Sequence, residues 1–402
     1  MFNLTFILEF INIFQKNKIV KLVNYFIKAK KVWKIPNQCN VLIYDAAGIE
    51  GIKSILKNNA FEIMHIRNES INIPILIKSL FFKGSYLNSY IYCYIKGVNP
   101  KFIITNIDNN PNFYTLTIKF PNIKTIFIQN GMRGFYLDIF ETLENNSLFN
   151  NNFQVNFMFT FGKNIGNEYK KYINGKNISI GSIKNNLVPK YKVEKKRNKI
   201  SFISQYRKPE NYEINNKQYS HDLYFKKSDQ FIIDFLIKYS KSKFKELEII
   251  TYNTKNTPVE LNEEIKYFNN IASCELSYSI RENLFSSYYN IDSSDVIVGI
   301  DSTLTYESAA RGNKTAFFSI RSFFTKLKGY EFGWPALIAN NGTFWSNIPN
   351  EKIFENILDH LFEIDEIEWE KELKKNEFEN IMIYDPDNKL ICNYLSEILS
   401  FS

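Results

Sequence analysis

Residues 295–313, DVIVGIDSTLTYESAARGN, are the stretch that decides the fold. An apolar run that typifies a buried strand ends at Gly299, and a polar turn and a helical pattern follow at once. Strands that pass directly into helices build parallel sheets. Ser302 or Thr303 is placed to cap the helix, which would leave free backbone N–H groups and the positive helix end at the end of the strand. The stretch therefore predicts a strand–turn–helix unit able to hold a phosphate.

The same alternation of strand and helix patterns occurs before and after this stretch. Short apolar runs that end in polar residues or glycine alternate with helical patterns. The runs that predict strands are 41–44, 61–66, 102–105, 125–128, 157–161, 178–180, 200–204, 248–251, 295–299 and 315–319. Residues 184–199 are polar and basic and lack periodicity, and we place a linker at 191–199.

These patterns predict an α/β protein with two Rossmann-like domains that face a central cleft. The first domain spans residues 1–190 and the second spans 200–380. Residues 381–402 form a C-terminal helix that returns toward the first domain. Ligands of such sheets bind beyond the carboxyl ends of the strands, so candidate site residues are sought there.

Composition narrows the function classes. The 402 residues carry 50 Lys and Arg against 42 Asp and Glu, a net charge of +8, which favours an anionic ligand or surface but is small for a nucleic-acid binder. Four dispersed cysteines and three scattered histidines lack the spacing of a metal site, so we expect no metal and no cofactor. Residues 45–51, DAAGIEG, lack the glycine pattern of a nicotinamide or flavin site, and no Walker lysine motif is present.

The amino-terminal region is apolar and basic. Residues 1–14 lack the basic flank and the cleavage site of a signal peptide, and polar residues interrupt them too often for a membrane span. Residues 16–33, KNKIVKLVNYFIKAKKVW, have the pattern of a basic amphipathic helix. This helix either lies on an anionic inner membrane surface or is a solvated surface helix. We expect a cytoplasmic protein, with peripheral membrane contact in the first case.

Polar residues at the predicted strand ends are the candidate site. Amide and arginine side chains after residues 125–128 suit a carboxylate or phosphate, and a glutamate one turn into the helix after 295–299 can accept sugar hydroxyls. An aspartate in the loop before the helix near residue 229 is a general base, a nucleophile or an ordinary loop residue. The candidates are Asp108, Asn109, Gln129, Asn130, Arg133, Ser204, Gln205, Arg207, Asp222, Asp301, Ser302, Thr303 and Glu307.

Four segments, in order and over nearly the whole chain, carry a resemblance to bacterial surface-carbohydrate biosynthesis proteins. They are FIQNGMRG at 127–134, FISQYR at 202–207, IDSTLTYESAARG at 300–312 and IYDPDNKL at 383–390. Within that group the chain resembles the retaining β-Kdo glycosyltransferases of lipopolysaccharide and capsule assembly. The 300–312 segment is also similar to one shared by two-domain GT-B transferases and nucleotide-sugar epimerases.

The resemblance implies a GT-B-like fold and a CMP-activated ulosonic acid such as CMP-Kdo as the donor. The second domain would hold the donor, with Ser302 and Thr303 at the phosphate and Glu307 at the nucleotide, and the first domain would hold the acceptor glycan. Asp222 would be the nucleophile, with Asp301 as its competitor. The alternatives are a transferase with a UDP-sugar or CDP-polyol donor, a nucleotide-sugar epimerase and a non-catalytic scaffold for glycan assembly.

Overall fold

A computed structural model of the chain describes residues 27–57, 59–67, 69–82, 86–147, 152–191, 193, 196–214, 216–283, 285–336 and 338–400. The chain forms two compact units. The first contains residues up to 107 together with 116–128, and the second contains 108–115 and residues 129–401. The linker expected at 191–199 falls inside the second unit, and the domain division built on it stays a prediction.

The first unit is built on a parallel sheet. Its elements are β1 (Lys30–Val32), β2 (Val41–Tyr44), α1 (Ile49–Leu56), β3 (Phe61–Met64), β4 (Ser70–Asn72), α2 (Ile73–Ser79), α3 (Tyr86–Val98), β5 (Phe102–Thr105), α4 (Leu116–Lys119) and β6 (Lys124–Ile128). The strands pair in the order β3-β2-β5-β6, and β1 pairs separately with β4. Every residue of β2 and β5 is buried, as expected for central strands that helices cover on both faces.

The second unit begins with α5 (Ile139–Ser147), β7 (Phe153–Thr160), α6 (Lys163–Lys170), β8 (Ile173–Ser179) and α7 (Ile183–Leu187). It continues with β9 (Lys196–Ile203), β10 (Tyr212–Ile214), β11 (Lys217–Tyr219), α8 (Lys227–Lys243), β12 (Glu246–Thr254), α9 (Pro258–Ala272), β13 (Ser277–Arg281), α10 (Ser286–Ser293) and β14 (Ser294–Gly299). It ends with α11 (Thr303–Ala310), β15 (Thr315–Phe318), α12 (Arg321–Thr325), β16 (Trp345–Ser346), α13 (Glu351–Glu363), α14 (Glu366–Lys375) and α15 (Lys389–Ser400).

A six-stranded parallel sheet organises the second unit, in the order β13-β12-β9-β14-β15-β16. The apolar residues of β9 and β14 are almost wholly buried, which places these two strands at the centre of the core. Strands β7 and β8 pair in parallel in the same unit. The predicted α/β class with parallel Rossmann-like sheets is therefore confirmed.

The C-terminal segment packs on β7, β8 and α7, which the sequence assigns to the first domain. The backbone N–H of Ile383 donates to the carbonyl of Phe161 at 3.0 Å, and that of Asp385 donates to the side chain of Asn186 at 3.0 Å. On α15, the ring of Tyr394 lies 6.3 Å from that of Phe159. These contacts hold the C-terminal segment, which includes IYDPDNKL, against these elements. Its return toward a separate first domain stays a prediction.

The structure differs from the sequence expectations at several elements. The helix expected over 16–33 does not reach residue 33, because Lys30–Val32 form β1 and pair with Ser70–Asn72. Residues 16–26 of that helix lie outside the described part of the chain. The sequence also gave no sign of β13, whose residues are exposed or only half-buried at the edge of the sheet and therefore lack an apolar run.

A buried ion pair joins α10 and α11 to the chain that follows α7. The Arg311 and Asp292 side chains are both completely inaccessible to solvent, with Nη2 and Oδ2 2.7 Å apart and Nε and Oδ1 3.2 Å apart. Arg311 also donates to the carbonyls of Asn185, Val188 and Pro189. Because the Arg311 side chain is fully buried, these bonds fix the path of residues 185–189.

Candidate functional site

A cavity of about 310 Å³ lies within the second unit, at the carboxyl ends of β9, β14 and β15. Gln205 and Arg207 follow β9, Asp301 follows β14, and Arg321 follows β15 as the first residue of α12. Neighbouring parallel strands bring their ends to one edge of a sheet, so the side chains after them meet. The Oε1 atom of Gln205 accepts a hydrogen bond from the backbone N–H of Asp301 at 3.3 Å.

Arg321 and Asp301, which both line this cavity, form an ion pair. Arg321 Nη1 donates to Asp301 Oδ2, and the guanidinium lies 4.6 Å from the centre of the Phe225 ring. The Arg321 side chain is only 3% exposed. Within the described part of the chain, its Nε and Nη2 atoms and the Asp301 Oδ1 atom have no hydrogen-bond partner. Buried donors of this kind are costly unless a ligand or solvent meets them, so this guanidinium edge is suited to an anion.

A second carboxylate, that of Asp229, interacts electrostatically with Arg321 but does not line the cavity. Asp229 is buried, and burial raises the pKa of its carboxyl to about 6, although the charge of Arg321 and a 2.8 Å hydrogen bond from the Tyr267 hydroxyl act in the other direction. Burial lowers the pKa of the Arg321 guanidinium, but the charges of Asp301 and Asp229 outweigh this and raise it above its ordinary value. Arg321 is therefore held charged.

The loop after β6 brings Arg133 to the cavity. Arg133 Nε donates to Asp108 Oδ2 at 2.9 Å, and its Nη1 lies 3.5 Å from Asp138 Oδ1. Asp108 is fully buried and also accepts the Tyr169 hydroxyl at 2.6 Å and the backbone N–H of Asn130 at 3.3 Å. The structure therefore uses Asp108 to hold Arg133, rather than exposing it to a ligand as the sequence suggested.

Asp138 is a cavity residue that the sequence did not indicate. It accepts backbone hydrogen bonds from Ile139 at 2.7 Å and from Gly134 at 3.2 Å, because the chain turns back on itself before α5. Burial raises the pKa of its carboxyl, and Arg133 opposes this shift. A carboxyl with a raised pKa in a polar cavity is a candidate general base or acid.

Aromatic rings supply the remaining walls. They belong to Tyr136, Tyr212, Tyr224, Phe225, Tyr306, Tyr330 and Trp334. Tyr330 stands on a tight turn at Gly329, whose φ of 98° favours glycine, and a Cβ there would lie 2.6 Å from that of Phe135. The Tyr330 hydroxyl donates to the carbonyl of Tyr136, which ties the two sides of the wall together. Aromatic faces combined with carboxylates suit a sugar, which offers both C–H faces and hydroxyls.

The start of α11 lacks the side-chain cap that the sequence predicts at Ser302 or Thr303. Ser302 is the residue before the helix, but its side chain makes no capping bond. Thr303 Oγ1 instead accepts the backbone N–H of Met132 at 2.9 Å, so the helix end is bound to the 129–134 loop. Asp301 and Tyr306 line the cavity, whereas Ser302 and Thr303 do not.

Glu307 does not reach the cavity. Its carboxylate is buried, accepts the Ser182 hydroxyl, and accepts the Tyr288 hydroxyl at 2.9 Å. Burial raises the pKa of this carboxyl, and both hydrogen bonds oppose that shift. The expected contact of Glu307 with sugar hydroxyls is therefore replaced by contacts with protein hydroxyls.

The other candidates lie away from the cavity. Asp222 has a side chain that is 69% exposed, and its nearest cation is Lys226 at 3.9 Å. Ser204 is buried and donates to Glu264, while Gln129 is buried and accepts the backbone N–H of Phe161 at 2.8 Å. Asn109 is exposed, and Asn130 accepts from Arg133 Nη2. Of the thirteen candidates, the structure brings Arg133, Gln205, Arg207 and Asp301 to the cavity wall.

The described residues show neither a metal centre nor a membrane span. No group of three or more His, Cys, Asp or Glu side chains among them is arranged to hold a metal ion. No helix among them is both long and apolar enough to cross a bilayer.

A protein family described as "putative O-antigen biosynthesis protein" matches residues 126–399. No curated protein matches the chain. Among solved structures, the UDP-GlcNAc 2-epimerase of Methanocaldococcus jannaschii in complex with UDP-GlcNAc and UDP is 10% identical, with a TM-score of 0.51 over 90% of this chain and 99% of the other. The Staphylococcus aureus MnaA–UDP structure is 11% identical, with a TM-score of 0.50 over 91% and 98%. These two likenesses show a shared fold.

Proposed function

The chain belongs to the O-antigen biosynthesis family that matches residues 126–399, and on that premise we propose that it is a glycosyltransferase of surface-polysaccharide assembly. Its donor is nucleotide-activated: a CMP-linked ulosonic acid such as CMP-Kdo is the leading candidate, and a UDP-sugar or a CDP-polyol is the alternative. The M. jannaschii epimerase structure holds UDP-GlcNAc and UDP, and the S. aureus MnaA structure holds UDP, on a similar fold, which supports a nucleotide-sugar ligand.

The observation that carries the proposal is the Arg321 guanidinium in the cavity. Its Nε and Nη2 atoms are the two donors that a carboxylate or phosphate accepts side by side, and within the described residues neither is engaged. An ulosonic acid bears a carboxylate on its anomeric carbon. Pairing of that carboxylate with Arg321 would bring the anomeric carbon next to Asp301, the ion-pair partner of the same arginine.

Asp301 then takes the catalytic role in place of the exposed Asp222. In a retaining transfer, the Asp301 carboxylate attacks the anomeric carbon and CMP leaves with the electron pair of the broken bond to its phosphate oxygen. The acceptor hydroxyl next attacks the same carbon from the opposite face, gives its proton to Asp138 and releases Asp301. Asp138 suits this task because burial raises the pKa of its carboxyl.

Ligand-induced stabilisation tests the donor. The full-length protein is heated with CMP, CMP-Kdo, UDP-GlcNAc or CDP-glycerol, each with and without EDTA. A ligand at one hundred times its Kd raises the free energy of unfolding by about 2.7 kcal/mol. We expect the largest shift with CMP-Kdo and no effect of EDTA. A larger shift with UDP-GlcNAc would overturn the CMP donor, and no shift with any nucleotide would favour a scaffold.

Two matched pairs of variants test the residues. Asp301→Asn is expected to abolish transfer to an acceptor glycan, measured by mass spectrometry, whereas Asp222→Asn on the exposed aspartate should leave transfer unchanged. Arg321→Met should weaken binding of CMP-Kdo by about 10- to 100-fold, the usual effect of losing a charged hydrogen bond, but affect CMP alone much less. Full transfer by Asp301→Asn would refute the catalytic assignment.

A further inference from the structure

The first unit exposes an unusual cluster of large apolar side chains. At the end of α2 the exposed fractions are 53% for Ile77, 60% for Leu80 and 84% for Phe81. Phe82 is also exposed, and its ring lies 5.6 Å from that of Tyr92 on α3. We call these five residues the apolar patch. Single exposed apolar residues are ordinary on soluble proteins, but a contiguous group of this kind marks an interaction surface.

The surroundings of the apolar patch are basic. Lys78 is exposed on the same turn of α2, and Lys96 Nζ lies 5.9 Å from the centre of the Tyr92 ring. The sequence from Ser70 to Ile107 contains four lysines and no Asp or Glu, and residues 116–128 of the same unit contain two further lysines and no Asp or Glu. This local excess of positive charge is much stronger than the chain average and would attract an anionic partner.

We propose that the apolar patch and its lysines dock the first unit on an anionic lipid bilayer. Phe81 and Leu80 enter the headgroup region, and Lys78 and Lys96 contact lipid phosphates, as amphipathic surfaces do at membranes. A second copy of the chain fits less well, because a symmetric pairing would press the same lysines against each other. The proposal rests on this surface alone and does not depend on the donor assigned to the cavity.

The experiment is flotation of the full-length protein with vesicles. Vesicles of phosphatidylcholine that contain phosphatidylglycerol should bind the protein at low salt and release it at high salt, and pure phosphatidylcholine should bind it weakly. The double variant Leu80→Ser with Phe81→Ser should reduce binding at least about ten-fold, and Lys78→Gln about five-fold, the contribution of one lysine at a membrane surface. Far-UV circular dichroism verifies that each variant is folded.

Control variants distinguish lipid binding by the apolar patch from binding by other parts of the chain and from dimer formation. Phe244 in the second unit is 89% exposed, so Phe244→Ser removes an equally exposed ring and should leave vesicle binding unchanged. Joint replacement of Lys16, Lys18 and Lys21 by Gln tests the predicted amino-terminal helix. The proposal fails if only that triple variant weakens binding, or if the patch variant instead dissociates a dimer measured by light scattering. It also fails if the double variant floats like the unchanged protein.

Discussion

Replacement of Arg311 by methionine tests whether the buried ion pair with Asp292 holds the second unit together. Both side chains are fully buried, and Arg311 makes two bonds to Asp292 and donates to three carbonyls between residues 185 and 189. Methionine fills a similar volume, so the main effect is that the Asp292 carboxylate loses its buried cation and keeps the hydrogen bonds from Asn313 Nδ2 and the Tyr191 backbone N–H, while three carbonyls lose a donor. Removal of one partner of a buried pair costs about 3–5 kcal/mol.

Urea unfolding followed by circular dichroism measures this loss. With a denaturant slope of about 3 kcal/mol/M, a loss of about 3 kcal/mol lowers the midpoint by about 1 M. The double variant Arg311→Met with Asp292→Asn should recover part of the loss, because it removes the unpaired charge. Lys374→Met, which breaks the exposed pair with Glu370, serves as the control and should leave the midpoint unchanged. A decrease below about 1 kcal/mol for Arg311→Met would refute the reasoning.

Two further predictions concern the cavity. Burial raises the pKa of Asp229 to about 6, above its unfolded value near 3.9. Between these two pH values the folded protein binds one more proton than the unfolded chain. The stability that the protonated Asp229 contributes is therefore fully present below about 3.9 and is lost as pH rises through about 6. The difference in unfolding free energy between the unchanged protein and Asp229→Asn should therefore fall by about 2 kcal/mol from pH 4 to pH 7, and a flat difference would contradict the shift. Gly329→Ala should cost about 1–3 kcal/mol and weaken donor binding, because it adds a Cβ 2.6 Å from that of Phe135 at a φ of 98°. Gly312→Ala is the control for backbone strain alone, because Gly312 has a φ of 84° but a Cβ there would lie 3.5 Å from the nearest atom. Equal losses of stability in the two variants would exclude the close contact with Phe135 as the cause.

The parallel sheets could be predicted from the sequence because their central strands are buried on both faces. Residues 41–44 and 102–105 are continuous apolar runs, and the structure has strands at both places. Strand β13 was missed because an edge strand needs no such run. Lys30–Val32 were mistaken for helix because their pairing with β4 depends on residues about forty positions away, which helical periodicity does not record.

The candidate site could be predicted only in part, because contacts between distant residues decide which side chains reach the cavity. The ends of predicted strands identified Gln205, Arg207 and Asp301, and the same rule applied to β15 would have found Arg321. Sequence alone could not show that Glu307 is occupied, because its partners Ser182 and Tyr288 come from other segments. Burial and pairing between distant residues, rather than residue type, decided which candidates face the cavity.

The partly unpaired guanidinium of Arg321 has a practical consequence for the choice of buffer. A buried cation whose Nε and Nη2 lack partners among the described residues attracts any small oxyanion that can enter the cavity. Phosphate, sulfate and citrate would therefore compete with the donor for Arg321, and an assay in such a buffer would underestimate affinity. Donor screens should use an uncharged or amine buffer with chloride, and inhibition by added phosphate would itself be a simple probe of the cavity.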